Sequence, residues 1–204
     1  AVLFAMDAIA QLDPHVEVRV YIPTCENMIN GRAMKLGDVL HTMSGQTIEV
    51  TNTDAEGRLI LSDALCLAQR DECDTIIDLA TLTGACMVAL GTDWAGLFSD
   101  DDKLAQQISK AAESAGERIW RLPMISEYRR SLDSKVADIK NSGERWGGAI
   151  TAALFLKEFV DTKKVSWAHL DIAGPAFYMR SQGYMKDGGT GFGVRTLVEF
   201  IKSC

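Results

Sequence analysis

The sequence predicts an α/β domain, a mixed central β-sheet flanked by helices in three layers. Three observations point there. Apolar residues recur at helical spacing in several segments, as in Leu104, Ile108, Ala111, Ala112 and Ala115. Short runs rich in β-branched residues alternate with those segments. The chain of 204 residues is 47% hydrophobic, enough to bury a sizeable core as one domain over 1–204, and it shows no repeat or low-complexity linker.

The opening run, Ala1 to Met6, reads as a buried helix already under way, with no Ser, Thr, Asp or Asn before it as a cap. That pattern predicts a chain cut inside a helix. Asp13-Pro14 stops the helix near Leu12. Val16, Val18, Val20 and Ile22 then alternate with polar or amphipathic residues and predict a strand closed by Pro23. Residues 24–37 read as a long polar loop. Strands around Val39–Met43 and Thr47–Val50 follow, joined at Ser44-Gly45.

A helix is expected from about Arg58 to Gln69, then a strand over Thr75–Ala80. Its nearly all-apolar composition places that strand in the centre of a sheet. Thr81–Ala85 reads as a turn at its C-terminal end, before a second apolar stretch, Met87–Leu90, that ends at Gly91. Asp100–Ala115 is a helix stopped by Gly116. Beyond an irregular stretch holding Pro123, helix Gly148–Val160, strand Val165–Ile172 and helix Thr196–Lys202 complete the chain.

Composition weighs against several function classes. The net charge of −7, with no Lys/Arg block to offset it, argues against a phosphate-binding surface for nucleic acid. Charge or Gly breaks every apolar stretch well short of a membrane span, and no basic region precedes the opening run as in a signal peptide. The five cysteines, Cys25, Cys66, Cys73, Cys86 and Cys204, are odd in number and scattered, which fits reduced thiols in a cytoplasmic protein.

The chemistry concentrates in Asn52-Thr53-Asp54-Ala55-Glu56-Gly57-Arg58-Leu59. Two carboxylates two residues apart, in a loop before a helix, can face one centre and offer hard oxygen ligands to a divalent cation. Arg58 adds a fixed cation with planar donors, suited to an anion or a developing oxyanion. By themselves these residues better fit a plainer arrangement, in which Asp54 and Glu56 cap the helix and Arg58 pairs with one of them.

This eight-residue stretch resembles the signature of the leucyl aminopeptidase family, Asn-Thr-Asp-Ala-Glu-Gly-Arg-Leu. Other blocks resemble that family in order along the chain: Cys25 to Met28, Gly37 to Val39, Ala80 to Ala85, Trp120 to Pro123 and His169 to Gly174. The resemblance implies an incomplete C-terminal catalytic domain of a two-metal exopeptidase that releases N-terminal residues, Leu and other apolar ones first, from peptide substrates. It implies that Asp54 binds a metal, Glu56 bridges two, and the ions are Mn²⁺ or Zn²⁺, with Mg²⁺ a further option. It implies that Arg58 holds a bicarbonate-like anion and acts in catalysis. Thr81, Leu82 and Gly84 would line the substrate site, Leu82 and Gly84 through backbone groups, and Ala173 would line the side-chain specificity pocket. The family assembles as a cytoplasmic hexamer.

The family's metal cluster also uses a Lys and two more Asp residues, and its catalysis a second Lys. All of these precede the point where this sequence starts, as does the family's N-terminal domain. The expectation is therefore weak metal binding and little peptidase activity for this chain alone, since hard cations take about six ligands. The alternative is a non-catalytic structural or DNA-binding assembly module derived from the family.

Other features read as structural. His15 reads as a solvated loop residue and His41 as a strand residue without a partner motif, while His169 is expected to be hydrogen-bonded in the interior. Gly188 to Gly193 lacks the preceding strand and the Lys of a phosphate loop, so positive-φ turns account for its glycines. Trp120, Trp146 and Trp167 read as core or interface aromatics.

Overall fold

A computed structural model describes residues 1–181, 183 and 186–204. In chain order its first half holds α1 (Val2–Leu12), β1 (Val39–His41), β2 (Thr47–Glu49), α2 (Gly57–Arg70), β3 (Thr75–Ala80), α3 (Gly84–Leu90) and β4 (Ala95–Phe98). There follow α4 (Asp102–Ala115), β5 (Ile119–Arg121), a 3₁₀ helix (Ser126–Leu132) and β6 (Ile139–Lys140). The last elements are α5 (Gly148–Lys157), β7 (Ser166–Asp171), β8 (Phe177–Tyr178), β9 (Gly188–Gly189) and α6 (Val194–Lys202). The α/β class holds, with mixed sheets. The chain forms two compact units, the first from Ala1–Ile22, Ile77–Leu122 and Trp167–Cys204, the second from Pro23–Ile76 and Pro123–Ser166.

The first unit is built on a four-stranded sheet in the order β3-β7-β4-β5. Strand β4 runs antiparallel to β7, pairing Gly96 with Asp171 and Phe98 with His169, and parallel to β5. All four residues of β4 are buried, as expected of an interior strand with both faces covered. Ala95 and Leu97 pack with Leu104, Ala105, Ile108 and Ala111 of α4 and with Phe200 of α6 in one apolar cluster. Helix α4 forms where its residues predict it. Asp101 caps its start by accepting from Leu104 N–H at 3.0 Å, and Gly116 ends it in the left-handed conformation at φ 69°.

The second unit holds a three-stranded sheet, β1-β2-β6, in which β1 and β2 form an antiparallel hairpin and β6 joins β2 in parallel. Asp138 accepts from Thr47 N–H and Oγ1–H at 2.8 and 2.7 Å, and these bonds hold its carboxyl below the usual range. Helix α2 packs against α5, which buries Ala149 and every residue from Thr151 to Leu156.

Three expectations need correction. Val16–Ile22 is not a strand. It joins no strand ladder among the described residues, and Val16, Val20 and Ile22 are exposed; alternation shows that a segment could line a sheet, but only a ladder makes it one. Helix α1 buries one stripe, Ala5 and Ile9, and leaves Leu3 and Phe4 exposed, so it is not an interior helix within this chain. Strand β3 lies at the end of the described sheet order rather than in its centre. An apolar run reports covered faces and says nothing of lateral neighbours. Trp167 is a core residue, one of the two expected settings, while Trp120 and Trp146 are 57% and 76% exposed and are not core within this chain.

Five short strands, β4, β5, β6, β8 and β9, and the 3₁₀ helix went unforeseen, and the apolar stretch before Gly91 is helix α3. The other elements lie within a few residues of their predicted ends, α5 stopping at Lys157 rather than Val160.

Candidate active site

In the second unit the residues around Asp54, Glu56 and Arg58 form the junction between a tight loop and α2. Asn27 Nδ2 donates to the Thr53 carbonyl at 3.0 Å, and a second side chain makes most of the other bonds that hold the loop. Asn141, fully buried and directly after β6, accepts at Oδ1 from Thr51 N–H at 2.9 Å and Asn52 N–H at 3.2 Å. Its Nδ2 donates to the carbonyls of Asn52 at 2.7 Å and Ala55 at 3.3 Å. An amide both donates and accepts, so it can satisfy a loop that presents N–H and C=O groups together. Arg58 is buried on the first turn of α2, donates from Nη1 to the carbonyl of Asn141 at 2.9 Å, and has its guanidinium carbon 6.0 Å from the centre of the Phe155 ring.

The carboxylates are not spent on the helix. Glu56 occupies the cap position of α2 without a side-chain cap bond; the N–H groups of Leu59 and Ile60 donate to its backbone carbonyl instead. Asp54 is exposed and is turned by its own N–H, which donates to Asn52 Oδ1 at 2.9 Å. The capping role for Glu56 is thereby set aside. In kind, the pair suits a hard divalent cation. In number it does not complete a site: no group of three or more His, Cys, Asp or Glu side chains able to hold a metal occurs among the described residues.

In the first unit a single carboxylate gathers the other predicted residues. Asp171, fully buried at the end of β7, accepts at Oδ1 from the N–H groups of Leu82 (3.1 Å), Thr83 (3.4 Å) and Ala173 (3.2 Å). Its Oδ2 accepts from Thr83 Oγ1–H at 2.6 Å. The Thr83 oxygen accepts in turn from Cys86 N–H at 3.0 Å and so caps α3, whose first residue is Gly84. Thr81 and Gly84 are exposed, while Leu82 and Ala173 are half-buried. The N–H of Leu82 is committed inward. Ala173 is braced from its other side by Gly174, where a Cβ would collide with the carbonyl oxygen of Gly91.

Nearby groups are structural. His169 Nδ1 lies 2.6 Å from Asp78 Oδ1, and Trp167 Nε1–H donates to Asp78 Oδ2 at 2.8 Å, all three residues buried. Burial first, then the charge of Asp171, pushes the Cys86 thiol up to about 12, which leaves it inert as a nucleophile at neutral pH. All five cysteines are free. His15 and His41 are exposed. Gly188, Gly191 and Gly193 all have positive φ, as the turn reading requires.

The description "Cytosol aminopeptidase family, catalytic domain" matches residues 1–198. The chain belongs to the cytosol aminopeptidase family. It is 57% identical over 201 residues to a probable cytosol aminopeptidase of Synechococcus sp. (strain JA-3-3Ab), an alignment covering 98% of this chain and 39% of that protein. Among solved structures it resembles the bottromycin maturation enzyme BotP with a TM-score of 0.95 and 46% identity, over 99% of this chain and 45% of that one. A structure of BotP in complex with Mn matches with a TM-score of 0.81 and 47% identity, covering 85% of this chain and 39% of that one. The chain thus spans about two fifths of the length of the curated relatives it matches. No helix among the described residues is long and apolar enough to cross a membrane.

Sequence reasoning found the family residues but missed Asn141 and the converging role of Asp171. The His-x-Asp alternation on β7 was the one signal available for the latter.

Proposed function

We propose that the full-length protein carrying this chain is a cytosolic metal-dependent aminopeptidase that releases N-terminal residues from peptides, with Leu and other apolar residues preferred. The observation that carries this reading is the loop at Asn52–Gly57, whose backbone is fixed by Asn141 while Glu56 is left uncapping and Asp54 exposed. Asp54 and Glu56 are the metal ligands within this chain, and further ligands come from the rest of the protein. Bound divalent ions, Mn²⁺ or Zn²⁺ with Mg²⁺ as a third option, supply Lewis acidity and a lowered pKa for water.

The chain's own residues do the rest. Arg58, anchored by the Asn141 carbonyl, keeps a positive charge at the start of α2 and suits a bicarbonate-like anion. In the other unit, Leu82 and Gly84 offer backbone groups to a peptide, Thr81 lines its path, and Ala173 bounds the side chain of the residue to be released. Assembly as a homohexamer belongs to the same proposal.

Chelation of the full-length protein is expected to abolish leucine-anilide turnover, and added Mn²⁺ to restore it. Asp54→Asn should lower kcat/KM by more than about 100-fold without altering the far-UV spectrum. Turnover that survives both exhaustive chelation and this substitution would refute the reading.

A further inference from the structure

We infer that Asp171 is a positioning residue that sets which N-terminal side chains the site accepts. This rests on the aminopeptidase reading above, in which Leu82, Gly84 and Ala173 meet the substrate. Two separate segments carry those residues, and the only side chain among the described residues that bonds to both is Asp171. One oxygen takes the N–H groups of Leu82, Thr83 and Ala173, so the spacing of the turn and the pocket wall is fixed at a single atom. The second oxygen takes the Thr83 hydroxyl, which passes the constraint to the start of α3 and so to Gly84.

The carboxylate itself has little freedom. Its backbone lies in β7 opposite Gly96, and the following residue, Ile172, donates from N–H to the Ala80 carbonyl at 2.8 Å, just ahead of the turn. Charge matters here as well as shape. A carboxylate accepts at both oxygens and bonds more strongly than a neutral acceptor. An asparagine of the same outline keeps one accepting oxygen for the three N–H groups but turns an NH₂ toward the Thr83 hydroxyl, which then loses the acceptor for its own proton. The turn and the wall would then part company, and a displacement of around an ångström is enough to degrade a bound geometry.

The test uses the full-length protein and anilides of leucine, alanine and arginine. Asp171→Asn is expected to lower the preference for leucine over alanine, as a ratio of kcat/KM, by about tenfold, mainly through KM. Thr83→Ser keeps the hydroxyl and should retain the wild-type ratio. Equal losses on all three substrates with KM unchanged, or an unchanged ratio, would overturn the inference. If Asp171→Asn does not fold, Thr83→Val carries the test, since it removes the bond to Oδ2 together with the cap bond from Cys86 N–H and leaves the Asp171 bonds to the Leu82 and Ala173 N–H groups in place: a shifted ratio supports the inference and a wild-type ratio overturns it. Wild-type protein with no turnover on any anilide would instead defeat the aminopeptidase reading, and this inference with it.

Discussion

Asn141 and Asp171 perform comparable tasks with different chemistry. The amide faces a loop that offers both N–H and C=O groups and bonds to each kind, whereas the carboxylate faces converging donors and only accepts. Replacing Asn141 with Ala leaves part-buried N–H and C=O groups of Thr51 and Asn52, and the buried Ala55 carbonyl, without their partner. It should destabilise the chain by about 1–3 kcal/mol in a urea titration. A midpoint shift within experimental scatter would show that water takes the amide's place. Neither residue's role could be read from the sequence, because every side-chain bond but the one to Ala173 joins positions 86–90 apart, while local patterning reports only near neighbours. Asp54, Glu56 and Arg58 were legible for the opposite reason. Their chemistry sits in one short stretch, and its order is distinctive.

Among the elements, helices with one apolar stripe were read well, since α2, α4 and α6 each pair such a stripe with a defined start or stop. Strands were read less evenly. Ala95–Phe98 is short and uniformly buried, with no alternation to mark it, and Val16–Ile22 alternates without a ladder. Helix α6 shows a contribution that no local signal announces. Glu117 accepts from Gly193 N–H at 3.1 Å and from Thr196 N–H and Oγ1–H at 2.9 and 2.6 Å, capping a helix almost eighty positions away. Its side chain is buried, with Arg195 Nε at 3.6 Å. Glu117→Ala should loosen α6 from α4 and lower stability by about 1–3 kcal/mol, visible as faster amide exchange across Val194–Lys202. Unchanged exchange there would remove Glu117 from this role.

At the scale of the molecule, chemistry and chain length separate. The chain carries a two-carboxylate loop but no third acidic or imidazole ligand beside it among the described residues. Expressed by itself, it should give no stoichiometric plateau in a calorimetric Mn²⁺ titration and only background leucine-anilide turnover. A two-ion plateau with ordinary turnover would show that this chain is sufficient. The same expectation explains why the α/β class was readable from residue spacing while the surroundings of α1 were not. Exposed Leu3 and Phe4 lie on a helix whose remaining stripe is already buried, and spacing alone cannot say what a second apolar face is for.

The contact between Gly174 and the Gly91 carbonyl has a bearing on redesign. With no room for even a methyl group at that corner, diversity libraries aimed at altering substrate choice gain nothing by including it. Under the proposed aminopeptidase function, the adjacent Ala173 would carry the variation instead, against the Gly91 carbonyl as a backstop.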